Sequence, residues 1–215
     1  VSSTEAPTIE YREILSQALE DANPAEKKLA IQALSEASFS DSVSVLLSLL
    51  KDSDLEVRQA AIAALGQQRD PRAKEALQGI WKNTKSVDVA AALLCLGDEA
   101  AKAFLLASLG DPARKINTAL ALAAGGEQSG ETVLQEALER GLLSLSLSIL
   151  AADALLSFGN DLGRTTLQKI IDKDDALSTA AALALAKQGD EGARRWLSAR
   201  AAASFEAVLA LASLG

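Results

Sequence analysis

The chain has 215 residues and a formal net charge of −8, from 29 acidic and 21 basic side chains with no histidine. This acidic balance argues against a surface that wraps DNA or RNA, and the lack of histidine excludes histidine-based catalytic triads and histidine-containing zinc sites. Hydrophobic residues make up 49% of the chain but aromatic residues only 3%, so the core must consist of small and branched aliphatic side chains. No apolar run reaches the roughly 20 residues that a membrane-spanning helix needs.

The chain begins with a polar segment, residues 1–8, that lacks periodicity and is predicted to be a disordered lead-in. It has no apolar central region and is therefore not a signal peptide. A first helix is predicted at residues 9–20. A second begins at Asn23-Pro24, where asparagine caps the helix and proline occupies the first helical position. The same device is predicted to start helices at Asp70-Pro71 and Asp111-Pro112.

Apolar residues with helical spacing continue along the rest of the chain. The further predicted helices cover residues 42–50, 54–66, 72–81, 87–96, 99–109, 113–124, 146–158, 162–171, 177–187, 191–202 and 205–214. Residues 142–150 alternate with a period of two and would indicate a strand in isolation. The phase of the internal repeat places Ser146 and the residues after it on a helix, so a helix is predicted here.

The stretch 52–66 shows the repeating pattern most clearly. Ser53 followed by Glu56 predicts a capping box at the start of a helix, and Gly66 is predicted to close that helix. Between them lies an apolar stripe formed by Val57, Ala61, Ile62 and Leu65. This spacing predicts one packed helix of a repeating unit.

An alanine followed by an aliphatic residue stands five and four residues before each of seven closing residues. The closing residues are Ser35, Gly66, Gly97, Gly126, Gly159, Gly189 and Gly215. Their separations of 26 to 33 residues suit a helix-turn-helix unit. The sequence therefore predicts stacked helix pairs.

The acidic turn, the pair Val57-Arg58 and the run Ala-Ala-Ile-Ala-Ala-Leu-Gly resemble the HEAT repeat, and more narrowly the bacterial variety also found in phycobilin lyases. The resemblance implies an all-α fold, a right-handed α-α superhelix (a HEAT-like solenoid) of about seven helix pairs, with residues 9–215 as a single domain. No lyase active-site motif matches this chain. Other residues stand at the position of Arg58 in all six other copies, so the Asp/Arg ladder typical of the family is incomplete.

Positions three and seven residues before each closing residue are predicted to face the concave side of this solenoid. They change from polar to apolar along the chain, which favours a shallow non-polar groove for an extended or amphipathic peptide. The candidate partner-binding residues are Gln59, Ala90, Leu94, Ala119, Ala123, Ala152, Asp153, Leu156, Ala182 and Ala186. In the alternative interpretation, small residues let the superhelix wind so tightly that its inner helices bury one another.

Asp153 is a carboxylate at a position where the other copies have alanine or leucine. Burial of an unpaired charge is costly, so Asp153 is expected to reach water or to pair, with Arg164 as the partner. The loop at residues 125–130 has the glycine spacing of a phosphate loop but lacks the Lys-Ser/Thr that follows such loops. It is therefore interpreted as a flexible turn.

These features favour a non-catalytic scaffold or adaptor that binds a protein or peptide, with no nucleic acid and with no cofactor or metal. The alternative is a subunit of a phycobilin-lyase-like or chaperone-like complex that presents a tetrapyrrole to an acceptor protein. The apolar C-terminal repeat is expected to support homo- or hetero-oligomers. A cytoplasmic location is favoured over a periplasmic one.

Overall fold

The structure is a computed structural model that describes residues 19, 24–36, 42–174, 177–202, 204–212 and 214. The regular structure in these residues is helical, and no strand occurs among them. The prediction of an all-α fold built from helix pairs is therefore confirmed. The predicted lead-in at residues 1–8 lies outside the described residues, as do Gly215 and all but residue 19 of the helix predicted at 9–20.

Thirteen α-helices follow one another in the described part of the chain. They are α1 (Pro24–Glu36), α2 (Ser42–Leu49), α3 (Leu55–Gln68), α4 (Lys74–Thr84), α5 (Val87–Cys95), α6 (Glu99–Ser108), α7 (Lys115–Ala124), α8 (Glu131–Glu139), α9 (Leu145–Ser157), α10 (Asp161–Asp172), α11 (Ser178–Lys187), α12 (Glu191–Arg200) and α13 (Phe205–Ala212). Two 3-10 turns, Pro71–Ala73 and Gln128–Gly130, lead directly into α4 and α8. We call the odd-numbered helices inner helices and the even-numbered ones outer helices.

The chain divides into two compact units, residues 1–105 and residues 106–215. In the first unit α3 packs on α1, α2 and α5, and α5 also packs on α4. In the second unit α9 packs on α7, α8, α10 and α11, and α11 also packs on α12 and α13. Each unit thus repeats one arrangement, in which an inner helix contacts the neighbouring outer helices and the next inner helix, as in other helical-repeat proteins.

Glycines in the left-handed conformation end four of the inner helices. Their φ angles are 70° at Gly97, 83° at Gly126, 81° at Gly159 and 84° at Gly189. A side chain would strain each of these turns, so the sequence pattern identified these four helix ends correctly.

Gly66 has a different role from the predicted one. Helix α3 continues to Gln68, and Arg69 (φ 52°) is the left-handed residue after it. Gly66 is buried inside the helix, and a Cβ atom there would lie 2.8 Å from the Cα atom of Ala92 on α5. The prediction that Gly66 closes the helix is wrong, because its missing side chain lets α3 and α5 approach closely.

The capping box predicted at Ser53 and Glu56 is also wrong. Asp54 caps α3, and its carboxylate accepts hydrogen bonds from the backbone N–H groups of Glu56 and Val57. Arg58, from the HEAT-like motif, donates to two carbonyl oxygens of the preceding turn. An acidic turn followed by Val-Arg is therefore a local device that fixes the start of α3.

The two internal Asp-Pro pairs behave differently. Asp70 accepts a hydrogen bond from the N–H group of Arg72, and Pro71 begins the 3-10 turn before α4, as predicted. Asp111 instead accepts from the N–H group of Ala113 within a turn, and α7 begins only at Lys115. The second pair therefore starts a turn and not a helix.

The segment between the glycine loop and α9 is the main difference in secondary structure. Helix α8 has no predicted counterpart, although it carries the buried pair Leu134 and Ala137 at helical spacing. Helix α9 does form where the alternating residues 142–150 suggested a strand in isolation. The phase of the repeat was thus the correct guide to this segment.

A ladder of side-chain contacts links consecutive outer helices. Three of the closing glycines are each followed by a polar residue that accepts a hydrogen bond from a backbone N–H group in the first turn of the next outer helix. The same polar residue also contacts a side chain of the preceding outer helix. The three contacts join Asp98 to Gln78 (2.6 Å), Asn160 to Glu131 (3.0 Å) and Asp190 to Arg164. Each of these polar residues therefore caps one helix and fixes its position against the previous repeat.

Candidate partner-binding face

The exposed side of α9 combines a large apolar side chain with a carboxylate. Leu150 is 56% exposed, and Asp153 follows it by three residues, so the two side chains lie on the same face of the helix. The neighbouring inner helices carry Leu120 on α7 and Leu183 on α11 at the position equivalent to Asp153, and both are half-buried. We call Leu120, Asp153 and Leu183 the inner row.

The inner row lies within the second unit and rests on its core. Leu120 packs against a cluster that contains Leu134 and Leu155, and Leu183 packs against a cluster that contains Leu185. Because α9 contacts both α7 and α11, the carboxylate occupies the middle of a row that is otherwise apolar. All three side chains of the inner row are half-buried.

The surroundings of Asp153 do not fully compensate its charge. Burial raises the pKa of the carboxyl group, while a hydrogen bond from the Gln188 side chain and the charge of Lys187 act in the opposite direction without cancelling it. The Oδ1 atom is buried and has no hydrogen-bond partner. A buried acceptor without a donor reduces stability, so Asp153 is not explained by the folding of its repeat.

The ion pair predicted between Asp153 and Arg164 does not form. Arg164 lies on the outer helix α10 and pairs with Asp190, the residue that caps α12. Its guanidinium group therefore belongs to the ladder between the outer helices. Asp153 itself is half-buried, and the alternative outcome, a carboxylate that reaches water, stays a prediction.

Six of the ten candidate residues are buried and do not present a surface to a partner. They are Ala90, Leu94, Ala119, Ala152, Ala182 and Ala186. For these positions the prediction of an open groove is wrong, and the alternative of mutually buried helices describes them. The physical reason is angular. At about 100° per residue, positions three and seven before a closing residue lie within about 60° of that residue's direction, whereas exposed Leu150, nine residues before Gly159, lies on the opposite side of the helix.

Two of the buried alanines, Ala119 and Ala152, are small because glycines of the following elements pack on them: Gly130 in the 3-10 turn before α8 and Gly163 on α10. A Cβ atom on Gly130 would lie 2.8 Å from the Cβ atom of Ala119, and one on Gly163 would lie 2.3 Å from the carbonyl oxygen of Ala152. Inner and outer helices thus come into backbone contact at these points.

The other four candidates remain accessible to different degrees. Gln59 is exposed, and Ala123, Asp153 and Leu156 are half-buried. Contact between these residues and a partner stays a prediction. Leu150 and the inner-row leucines were not predicted to be surface residues, although the alignment of Asp153 with leucines in other repeats was the available signal.

The described residues were also compared with the requirements of metal sites and of membrane-spanning helices. Among the described residues, no group of histidine, cysteine, aspartate and glutamate side chains has the arrangement of a metal site. Within the same residues, no helix has both the length and the apolar character needed to cross a bilayer.

Comparisons with known proteins agree with the repeat architecture. The family model for HEAT repeats matches residues 12–97. A solved structure from Nostoc sp. PCC7120, the complex of CpcE and CpcF of phycocyanin lyase, is similar with a TM-score of 0.53 and 18% sequence identity, covering 94% of this chain and 92% of that chain. A search of curated protein sequences found no significant match.

The structural similarity extends well beyond the part of the chain that the family model matches. The family match identifies the sequence pattern of the first unit, which contains Val57-Arg58 and the close contact of Gly66 with α5. The structural match extends the same type of fold over nearly all of the chain. Residues 12–97 therefore carry the sequence pattern of HEAT repeats, and nearly all of the chain has a helical-repeat fold similar to that of the solved complex.

Proposed function

We propose that this helical-repeat protein is a non-catalytic protein-binding subunit that holds a protein partner against Leu150 and the inner row of its second unit. The observation that supports this function is the half-buried carboxylate of Asp153, which lies between leucines and lacks a partner for Oδ1. Folding alone would favour leucine there, as in the adjacent repeats. Residues that oppose stability are typical of functional surfaces.

The helical repeats provide a rigid base for such a surface. The inner row rests on fully buried leucines and on helix pairs whose backbones touch at Gly130 and Gly163. Presentation of a few exposed side chains on packed helices reduces the entropy lost on binding. The solved structure with a similar fold is a complex of two proteins, which also supports a protein partner.

The test uses two leucines with nearly equal exposure. Leu150 (56% exposed) lies next to Asp153 on α9, whereas Leu142 (58% exposed) lies in the turn between α8 and α9. We expect the immobilised wild-type chain and the Leu142→Glu variant to retain the same protein from an extract of the source organism. The Leu150→Glu variant should retain at least tenfold less of it, as expected for loss of a buried apolar contact and introduction of an unpaired charge.

The captured protein is then purified and its affinity for the three chains is measured by calorimetry. Circular dichroism verifies that both variants keep the helical content of the wild type. Equal affinity of the wild type and Leu150→Glu would refute the proposed face. Failure of the wild type to retain any protein specifically would refute the binding function itself.

A second candidate function is a subunit of a lyase-like complex that presents a tetrapyrrole to an acceptor protein. It is favoured by the similarity to a phycocyanin lyase complex over 94% of this chain. The inner row could then contact the pigment and the acceptor together. An added bilin should gain absorbance or fluorescence when mixed with the chain, alone or with its captured partner, and an unchanged spectrum would exclude this function.

Association through the C-terminal repeat is part of the same proposal. Val208 on α13 is 43% exposed, so this helix offers an apolar contact to a second chain or to a different protein. Sedimentation of the wild type and of a Val208→Glu variant would measure its contribution. We expect the variant to sediment as the smaller species.

A further inference from the structure

We propose that the inner row recognises an apolar segment of the partner that carries one basic side chain, whose cationic group binds the carboxylate of Asp153. This inference rests on the proposed binding function and names the chemistry of the partner. It follows from the charge and contacts of the residues around Asp153.

The cationic side chains in the described part of the chain do not form an ion pair with Asp153. Arg164 is paired with Asp190 on the outer side of the repeats and cannot serve Asp153. Lys187 ends α11 with an exposed side chain and acts on the Asp153 carboxylate through its charge, without an ion-pair contact. Asp153 thus faces Lys187 and the amide of Gln188 but holds no cation of its own.

The surface around Asp153 combines apolar side chains with one carboxylate, which suits a basic side chain. A basic side chain consists of an apolar stem and a charged head, and both parts must be accommodated. Exposed Leu150 and the two half-buried inner-row leucines offer apolar surface for the stem. Because Oδ1 of Asp153 is buried, the head is accepted through the other oxygen of this half-buried carboxylate. The flanking apolar side chains reduce competition from water, so a charge-assisted hydrogen bond is stronger here than on an open surface.

The carboxylate of Asp153 also distinguishes basic partner segments from neutral and acidic ones. A wholly apolar segment would bind better to a row of three leucines than to the actual row, because it would leave the carboxylate desolvated and unpaired. A basic residue converts that penalty into an attraction. Asp153 therefore selects for a cation and against neutral or acidic segments.

The experiment selects peptides from a random 16-residue phage-displayed library on the folded wild-type chain. Peptides that also bind Leu150→Glu are discarded, which restricts the pool to ligands of this face. We expect the remaining peptides to share one arginine or lysine flanked by leucine, isoleucine, valine or phenylalanine. A parallel selection on Asp153→Leu should yield apolar peptides without that basic residue.

The decisive measurement compares one selected arginine peptide with the same peptide carrying citrulline, which keeps the shape of arginine but has no charge. Fluorescence anisotropy on the wild type should show binding about tenfold weaker for the citrulline peptide, the size expected for loss of a charge-assisted hydrogen bond. On Asp153→Asn the two peptides should bind equally. The exposed Asp172 on α10 provides a matched control, since Asp172→Asn should leave the tenfold preference unchanged.

The outcomes separate the two proposals. Selected peptides that lack a basic residue, or an arginine preference that persists in Asp153→Asn, would overturn the role of Asp153 while leaving protein binding at this face intact. A selection that yields no peptide sensitive to Leu150→Glu would overturn both. Helical content and thermal midpoint of each variant show that it is folded before binding is measured.

Discussion

Asp153 and Asp98 show how the surroundings of a single carboxylate determine its effect on stability. Burial raises the pKa of Asp153, and its Oδ1 atom has no donor. Burial also raises the pKa of Asp98, but hydrogen bonds from the Ala101 amide and the Gln78 side chain outweigh it, so the net pKa of Asp98 is lowered. The ionised form is thus disfavoured at one site and favoured at the other.

Replacement of Asp153 by the leucine of its neighbouring repeats should increase stability at neutral pH. The folded-state pKa is raised, so the folded chain binds more protons than the unfolded chain and ionisation destabilises it as the pH rises. Asp153→Leu should raise the free energy of unfolding by about 1 kcal/mol at neutral pH. The gain should become smaller as the pH falls to about 4, the ordinary range of aspartate. Urea unfolding at the two pH values measures this, and a loss of several kcal/mol would mean that Asp153 is paired.

Replacement of Asp98 should lower the free energy of unfolding at neutral pH, the opposite of the effect expected for Asp153→Leu. Its lowered pKa contributes stability that is fully present above the unfolded-state pKa and is lost as the pH falls through the folded-state value. Asp98→Ala should therefore lower the free energy of unfolding by about 1 to 2 kcal/mol at neutral pH, the cost of removing a helix cap. The difference from wild type should decrease in acid, and a constant difference would contradict the assigned role.

At the scale of the helices, two glycines of the first unit allow a matched comparison. Gly66 lies where α3 contacts α5, and an added Cβ atom would lie 2.8 Å from the Cα atom of Ala92. Gly79 lies on the exposed side of α4 with no atom within 4 Å of an added Cβ atom. The same substitution should thus have opposite effects in two helices.

Gly66→Ala should destabilise the chain by about 1 to 3 kcal/mol, because the backbones of α3 and α5 must separate. Gly79→Ala should stabilise it by about 1 kcal/mol through helix propensity alone. Thermal unfolding of both variants and of the wild type shows whether each substitution raises or lowers stability. Stabilisation by Gly66→Ala would show that the close contact is not required for packing.

Helix boundaries also show where local patterns are sufficient. The alanine-aliphatic pairs and left-handed glycines identified the ends of α5, α7, α9 and α11, because helix termination needs only local backbone geometry. Gly66 shares that pattern but supports a contact with a distant helix, which local sequence does not encode. Helix α8 was not predicted, although its buried residues Leu134 and Ala137 have helical spacing.

At the scale of the whole molecule, contacts between successive helices imply that a local defect has local effects. Leu185 is fully buried on α11 in the second unit. Leu185→Ala should remove about 2 to 5 kcal/mol, the usual cost of a large cavity in a core. Amide hydrogen exchange should accelerate in α9 to α13 and stay close to wild type in α1 to α3. Uniform acceleration along the chain would show that both units unfold as one cooperative structure.

The sequence by itself determined that the chain is all-α, that its unit repeats about every thirty residues, and that Asp153 departs from its equivalents. These properties follow from periodicity and from local backbone preferences, which can be derived from the linear sequence alone. Only the tertiary structure decided which side of each inner helix is exposed. That choice depends on where Gly130 and Gly163 pack onto Ala119 and Ala152, so it is set by contacts between neighbouring helices, which the periodicity within one helix does not specify.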